Sequence, residues 1–401
     1  MYSLFFCLVT AVFISLAPQQ SFANPKPGDV FREYHLTGGG SNGDEQNKWL
    51  DEFVYVSHHT GEKGSNGNRI LEGIDIQNAL RAEFVASYWG GHLGSANKRV
   101  VFNDNPGVNL PLIKNTPTQP LCYFFQQSQA ACDIPLEYLE QGENKFRLEV
   151  DNQICYSFNW GWFWTNQVVL RIYYDPSKVE YPMGEVILPE SNTTISGFAK
   201  IACKVDRGNV QKVDFIGKYT DFSWDGSGEF NTWHGIYWMN DTNLKKHIGT
   251  ASGLFPDLRW DNRWIPDQEN IKIAARLVDE SGMIYMTEAV ENIKLSHGER
   301  IVKMYPAKNV PEAFGTQTDS AICGFEIPDD LEKAFSAKIV MNTFSGGTAD
   351  REVYINDVPI VKGGWGLWHR LAFCEECVPL SILNKGYNEF KIKANMPGEH
   401  A

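Results

Sequence analysis

Apolar and polar residues alternate in short runs along much of the chain. Val213, Phe215, Gly217 and Tyr219 stand at every second position, as do Ile271, Ile273, Ala275 and Leu277. A period of two places such residues on one face of a strand. Ile195, Ala199, Ile201, Cys203 and Val205 supply a further strand, and Gln167-Val168-Val169-Leu170-Arg171-Ile172-Tyr173-Tyr174 another. Gly, Asp and Asn clusters separate these runs and mark turns. The pattern predicts an all-β chain built from sandwiches of short strands.

Two distant stretches repeat each other in order and spacing. Arg99-Val100-Val101-Phe102-Asn103-Asp104 corresponds to Arg351-Glu352-Val353-Tyr354-Ile355-Asn356-Asp357. Each reads as a strand ending in a turn, because Asn and Asp tolerate left-handed backbone. Ile134-Pro135-Leu136, Leu139, Gly142, Asn144 and Phe146 then correspond to Val378-Pro379-Leu380, Leu383, Gly386, Asn388 and Phe390. That block reads as a short apolar turn stopped by Gly, followed by a new strand. Two copies far apart indicate domain duplication, not a solenoid.

These blocks resemble the galactose-binding-like jelly-roll domains of secreted multidomain proteins. The resemblance rests on Val101-Phe102-Asn103-Asp104 with Leu139, Gly142, Asn144 and Phe146, and on their second-copy counterparts. It covers roughly 60–180 and 310–401, and it implies a fold more than a function. Between the copies, Val186-Ile187-Leu188-Pro189 opens a segment whose short strands suggest an immunoglobulin-like sandwich. Asp175-Pro176-Ser177-Lys178 with Tyr181-Pro182, and Tyr305-Pro306 through Pro311, read as linkers. The expected organisation is a leader at 1–23, a jelly roll at 24–180, an immunoglobulin-like sandwich at 181–305 and a second jelly roll at 306–401. Lys391-Ile392-Lys393 matches Arg147-Leu148-Glu149, but nothing after it matches Val168–Tyr174. The second jelly roll is therefore expected to lack its last strand, through truncation or because a strand-donating protein partner supplies it.

Length and charge narrow the class. A chain of 401 residues, 43% hydrophobic, accommodates two or three packed domains. A formal net charge of -13 argues against nucleic acid or an anionic membrane as partner. The apolar run Leu4–Ala17, followed by Ser21-Phe22-Ala23, has the form of a secretory signal, although no Lys or Arg precedes it. No later run is long enough to span a membrane. A secreted location permits disulfides, and one pair among Cys122, Cys132 and Cys155 is expected. Cys374-Glu375-Glu376-Cys377 reads as a local disulfide or thiols in preference to a zinc site, since only His369 lies near as a further ligand. Asn192-Thr193-Thr194 and Asn240-Asp241-Thr242 are glycosylation acceptors by pattern.

Three constellations could carry function. Trp160, Trp162 and Trp164 would share one face of a strand, as a platform for a sugar ring or as an interface between modules. Asp221, Ser223, Asp225 and Glu229, with Gly226 at the turn, resemble a degraded calcium loop, or form a solvated acidic turn. Trp233, His234 and Tyr237 follow directly. His234 could join Asp225 or Glu229 in acid–base work, or act as a structural hydrogen-bonder. There is no phosphate loop, no nucleophile elbow and no zinc-protease motif. The resulting expectation is a secreted, non-catalytic protein that binds a polysaccharide or glycan, or mediates adhesion, with calcium in its middle module. A polysaccharide-cleaving glycosidase or lyase and a structural extracellular assembly protein are the alternatives.

Overall fold

The computed structural model describes residues 25–36, 54–57, 64–65, 68–89, 97–111, 126–151, 162–238, 241–308, 320–345, 351–362 and 370–394. The leader therefore lies outside the described residues. Strands run along the chain as β1 (Val30–Leu36), β2 (Val54–Ser57), β3 (Gly64–Ser65), β4 (Arg69–Ile74), β5 (Ala79–Trp89), β6 (Arg99–Phe102), β7 (Val108–Asn109), β8 (Gln126–Ile134), β9 (Gly142–Val150) and β10 (Trp162–Tyr174). The middle segment holds β11 (Met183–Leu188), β12 (Thr194–Ile195), β13 (Phe198–Arg207), β14 (Val210–Thr220), β15 (Asn231–His234), β16 (Ile236–Tyr237), β17 (Leu244–Lys245), β18 (Gly249–Ala251), β19 (Asp257–Asp261), β20 (Gln268–Asp279), β21 (Met283–Met286) and β22 (Val290–Leu295). The last segment holds β23 (Ser320–Ile327), β24 (Ala337–Ser345), β25 (Arg351–Ile355), β26 (Val358–Lys362), β27 (Arg370–Val378) and β28 (Gly386–Ala394). The chain is all-β, and its pairings are antiparallel except for β12 beside β22.

The largest sheet runs β12-β22-β20-β21-β1-β10-β5-β8, with β14 beside β20 and β2 beside β10. It joins the first and middle segments, because β1 pairs on one side with β10 and on the other with β21. The smaller sheets of the two segments cover parts of this shared layer. Over the first half, Phe84, Leu170 and Ile172 pack against Phe102, Phe146 and Leu148 of the five-stranded β3-β9-β6-β7 and β4 sheet. Over the middle half, Val213, Phe215, Ile271, Ile273, Ala275 and Leu277 pack against Ile201 and Cys203 of the β11-β13-β19 sheet. The period of two thus selects the core face. The intervening Ile216 and Ala274 join a separate cluster with Phe31, Val85, Val169 and Tyr173 on the reverse face.

Gly184 is required where β11 crosses β13. A Cβ there would overlap the Lys204 carbonyl oxygen and meet Leu277 Cδ2 at 2.8 Å. Gly184→Ala is expected to cost about 1–3 kcal/mol, the usual range for overpacking. Thermal unfolding checks this, and an unchanged melting temperature would show that the strands can separate to admit a methyl group.

The sequence repeat is a repeat of hydrogen bonds. In the first copy, Asn103 Nδ2 donates to Asn144 Oδ1 at 2.8 Å and to the Tyr138 carbonyl at 2.9 Å, while Lys145 N donates to Asn103 Oδ1 at 2.9 Å. Asn144 also accepts from Glu140 N and donates to Glu140 O. In the second copy, Asn356 Nδ2 donates to Asn388 Oδ1 at 2.8 Å and to the Ile382 carbonyl at 2.7 Å, and Glu389 N donates to Asn356 Oδ1 at 2.9 Å. Asn388 bridges Asn384 N and O in the same way. Asn103-Asp104 and Asn356-Asp357 all have positive φ, as the turn reading requires.

The second copy is thinner. Its sheets are β23-β28-β25-β26 and β24-β27, around a small core of Cys323, Val353, Ile355, Val378 and Phe390. In the first copy β5 lies between β8 and β10, whereas among the described residues β24 pairs only with β27. The outer face of β24 and β27 meets the middle segment. There Phe373 packs edge-on to Trp224 at 5.3 Å and Asn342 Nδ2 donates to the Trp224 carbonyl at 2.7 Å.

Of the cysteine expectations, unpaired thiols at Cys374 and Cys377 hold, while a local disulfide between them and a pair that includes Cys132 do not. Cys132 is a buried free thiol, so it forms no disulfide with Cys122 or Cys155, which lie outside the described residues. Cys374 is buried and Cys377 exposed, three positions apart in an extended strand. They point to opposite faces of β27 and make no local disulfide. Among the described residues there is no disulfide.

Candidate functional site

The reverse face of the large sheet carries buried charge. Glu83 on β5, Arg171 on β10 and Glu33 on β1 lie opposite one another in register. Arg171 donates from Nε at 2.9 Å and Nη2 at 2.7 Å to Glu33 Oε1, and from Nη1 at 3.1 Å to Glu83 Oε2. Tyr173 OH donates to Glu83 Oε2 at 2.7 Å. From β20, Arg276 Nη2 donates to Glu33 Oε2 at 2.6 Å and to Tyr237 OH at 3.0 Å, and Tyr237 OH donates to Glu33. Arg81 closes the far end, paired with Glu83 and stacked 3.3 Å over the Tyr173 ring. The side chains of Glu33, Glu83, Arg171 and Arg276 are each at most 5% exposed, so charge balance decides whether this layer is stable.

The pairing governs ionisation. Burial works to raise the pKa of Glu33, but Arg276 and then Arg171 overcome it and hold the carboxyl well below the usual range. Burial works to lower the guanidinium pKa values, yet the Glu33 carboxylate and its neighbours hold Arg171 and Arg276 above theirs. Burial pushes the phenols of Tyr173 and Tyr237 up, so both act as neutral donors.

A cleft of about 30 Å³ opens beside this layer, lined by Gln129, Arg171, Trp233, His234, Gly235 and Arg276 among others. Gln129 sits at positive φ in a bulge of β8, where its N–H meets Ser87 Oγ and its side chain donates to the Gly235 carbonyl. A bulge re-aims a side chain out of strand register. Gly235, at φ +145°, tolerates the turn that brings Trp233 and His234 to the opposite wall. Among the described residues Arg276 Nε is buried without a hydrogen-bond partner, as are Gln167 Oε1 and Thr165 Oγ1 on β10.

The expected site residues divide. Trp160 lies outside the described residues. Trp162 and Trp164 are in β10, their backbones opposite Ser57 and Tyr55 of β2, and their side chains lie outside the description. Trp233 is half-buried on the cleft wall. His234 is buried against the Tyr219 ring at 4.1 Å, with Nε2 2.9 Å from the Tyr219 carbonyl. Burial lowers its pKa, with Asp221 opposing. Tyr237 belongs to the charged layer through Glu33 and Arg276.

The acidic loop is closed by its own hydrogen bonds. Asp225 Oδ1 accepts from Ser223 Oγ and Ser227 N, both at 3.0 Å, and Ser223 Oγ accepts from Gly228 N. Asp221 is half-buried, and burial raises its pKa, with His234 and Lys338 opposing. Among the described residues no group of three or more His, Cys, Asp and Glu is placed to hold a metal. Asn192 stands exposed in a left-handed turn, and Asn240 lies outside the described residues.

Glu33, Glu83, Arg171, Arg276 and Gln129 were not among the residues that sequence patterns nominated. For Glu83, Arg171 and Arg276 the one signal was a charge inside an apolar strand run, as in Leu170-Arg171-Ile172 and Ala82-Glu83-Phe84. No protein-family model matches the sequence, and no curated protein matches it significantly. No helix among the described residues is long and apolar enough to cross a membrane.

Proposed function

We propose that this is a secreted, non-catalytic carbohydrate-binding protein, with galactose-binding-like outer segments and an immunoglobulin-like middle one. The observation that carries this reading is the cleft beside Arg276. Trp233 offers an aromatic wall, Gln129 and the guanidinium groups offer planar donors, and Arg276 Nε has no hydrogen-bond partner among the described residues. An aromatic face with convergent planar donors suits a sugar, whose ring stacks while its hydroxyl or carboxylate oxygens accept. The cleft is small, so one substituent enters and the ring lies across the mouth. The duplicated Asn103–Asn144 and Asn356–Asn388 pairs support the jelly-roll reading, and the leader pattern supports secretion.

The test is a glycan array followed by calorimetry on the purified chain. Trp233→Ala is expected to weaken binding about tenfold or more, as loss of an aromatic anchor does, with the native fold retained at the assay temperature. Failure of every glycan to bind, or an unaffected Trp233→Ala variant, would overturn the reading. The polysaccharide-cleaving alternative draws on one feature, the burial that moves Asp221 up and His234 down towards neutral forms. Release of reducing ends that is lost in a folded His234→Ala variant would favour it.

A further inference from the structure

Which substituent of a sugar enters the cleft is decided by size, by charge and by the groups left unpaired. About 10–15 Å³ seats one water-sized group. A space of about 30 Å³ therefore seats a pair of them. A hydroxyl underfills it, and a pyranose ring is far too large. The ends of fitting size are a carboxylate, a hydroxymethyl, and the carbonyl and methyl of an acetamido group.

Charge excludes the carboxylate. Arg171 gives every guanidinium nitrogen to Glu33 or Glu83. Arg276 pairs with Glu33 and lies in register opposite Asp214, a buried carboxylate with Lys212 Nζ at 3.5 Å. Arg81 joins Glu83 to Asp29. Each guanidinium of the layer thus already has its carboxylate. The neighbouring histidines add no cation at neutral pH. Burial lowers the pKa of His234, and it lowers that of His247, which stands behind Gly235, to about 4. An incoming anion would be a surplus buried charge, which costs more than its hydrogen bonds return.

The unpaired groups then separate the neutral ends. Arg276 Nε–H, without a partner among the described residues, needs an acceptor. The Tyr219 carbonyl only accepts, so His234 Nε2 carries the ring proton and Nδ1 keeps its lone pair. Pro25, Ile216 and Leu244 give the cleft an aliphatic side. A hydroxymethyl brings one oxygen and no methyl for that side. An acetamido group brings a carbonyl acceptor, an N–H donor and a methyl together.

We propose that the cleft seats an acetamido group, its carbonyl accepting from Arg276 Nε, its N–H donating to His234 Nδ1 and its methyl against Ile216 and Leu244, with the sugar ring over Trp233. The ligand class is then glycans of 2-acetamido-2-deoxyhexoses, a refinement that rests on the carbohydrate reading.

Methyl glycosides of 2-acetamido-2-deoxyglucose and 2-acetamido-2-deoxygalactose test it on the full chain, each beside its 2-hydroxy counterpart, with methyl glucuronoside as the anionic comparison. Calorimetry is expected to show the acetamido sugars binding about tenfold tighter than their counterparts, the scale of one hydrogen bond to a charged donor. Saturation-transfer NMR should show the acetyl methyl as the most strongly saturated group of the ligand. Trp233→Ala should weaken both members of a pair alike and keep their ratio. Arg276→Lys, which retains the charge but removes the Nε–H, should bring that ratio to about one. Should Arg276→Lys fail to fold, the wild-type ratio and the methyl saturation still decide. Binding without an acetamido preference, or tightest binding by the glucuronoside, would overturn the acetamido group and leave the carbohydrate reading standing. Absence of binding by all these sugars would overturn it too, and a blank glycan array as well would remove the carbohydrate reading with it.

Discussion

Glu33→Ala should be among the most damaging single substitutions in the protein, costing about 3–5 kcal/mol, the range seen when one partner of a buried ion pair is removed. Among the described residues Glu33 is the only carboxylate bound to both Arg171 and Arg276, and it also accepts from Tyr237. Its loss leaves Arg276 without the anion that holds it in the layer, while Arg171 keeps only Glu83. Equilibrium denaturation of the full chain measures the effect. Glu33→Met combined with Arg276→Met should cost less than the sum of the two single changes, because the double variant strands less charge. A loss for Glu33→Ala below about 1 kcal/mol would mean that water reaches the layer and solvates the guanidinium groups.

The same group sets an acid limit. The pKa of Glu33 is lower in the folded state than in the unfolded state, so its stabilisation is fully present above the unfolded value, about 4.3. That contribution declines as pH falls below this value and is lost once pH passes through the depressed folded value. The wild-type chain should therefore lose stability more steeply than Glu33→Gln over the acid range below about pH 4. Parallel slopes for the two proteins would show that other carboxylates dominate acid unfolding.

The second large effect is expected at the duplicated asparagines. Asn144 and Asn388 are fully buried, and each accepts a side-chain amide and a backbone N–H while donating to a carbonyl. Replacing either by Ala strands several polar groups without access to water. About 2–4 kcal/mol is expected for each, given about 1–3 kcal/mol for a single unsatisfied buried group. Because the second copy has the smaller core, Asn388→Ala should disorder its segment at a lower denaturant concentration than Asn144→Ala disorders the first. Amide hydrogen exchange on the intact chain resolves the two regions. Equal protection of β28 in the wild-type chain and Asn388→Ala would refute the assigned role.

Local patterns made the strands, the repeat and its paired asparagines legible. Alternation at Val213–Tyr219 and Ile271–Leu277 is a local property, because successive side chains of a strand point to opposite faces wherever that strand lies. Asn-Asp turns and the Gly-x-Asn-x-Phe block are equally local, since positive φ and side-chain-to-backbone bonds depend on near neighbours. The continuity of the large sheet was not local: it depends on Val30–Arg32 meeting Met283–Tyr285 across about 250 residues of chain.

Candidate chemistry divides along the same line. Trp233, His234 and Tyr237 attracted notice as neighbours in sequence, yet β15 and β16 send Tyr237 into the charged layer while Trp233 and His234 wall the cleft. Arg171, Glu33, Glu83 and Arg276 form one site only because β5, β10 and β1 align in register and β20 approaches from the middle segment. A charged residue in a strand can face solvent or a partner with equal local cost, so its sequence neighbours carry no record of which it does. What the sequence determined by itself was the all-β class and the duplicated frame. Only the tertiary structure decided which charges are buried together and which face of each strand they share, because those depend on contacts between residues far apart along the chain.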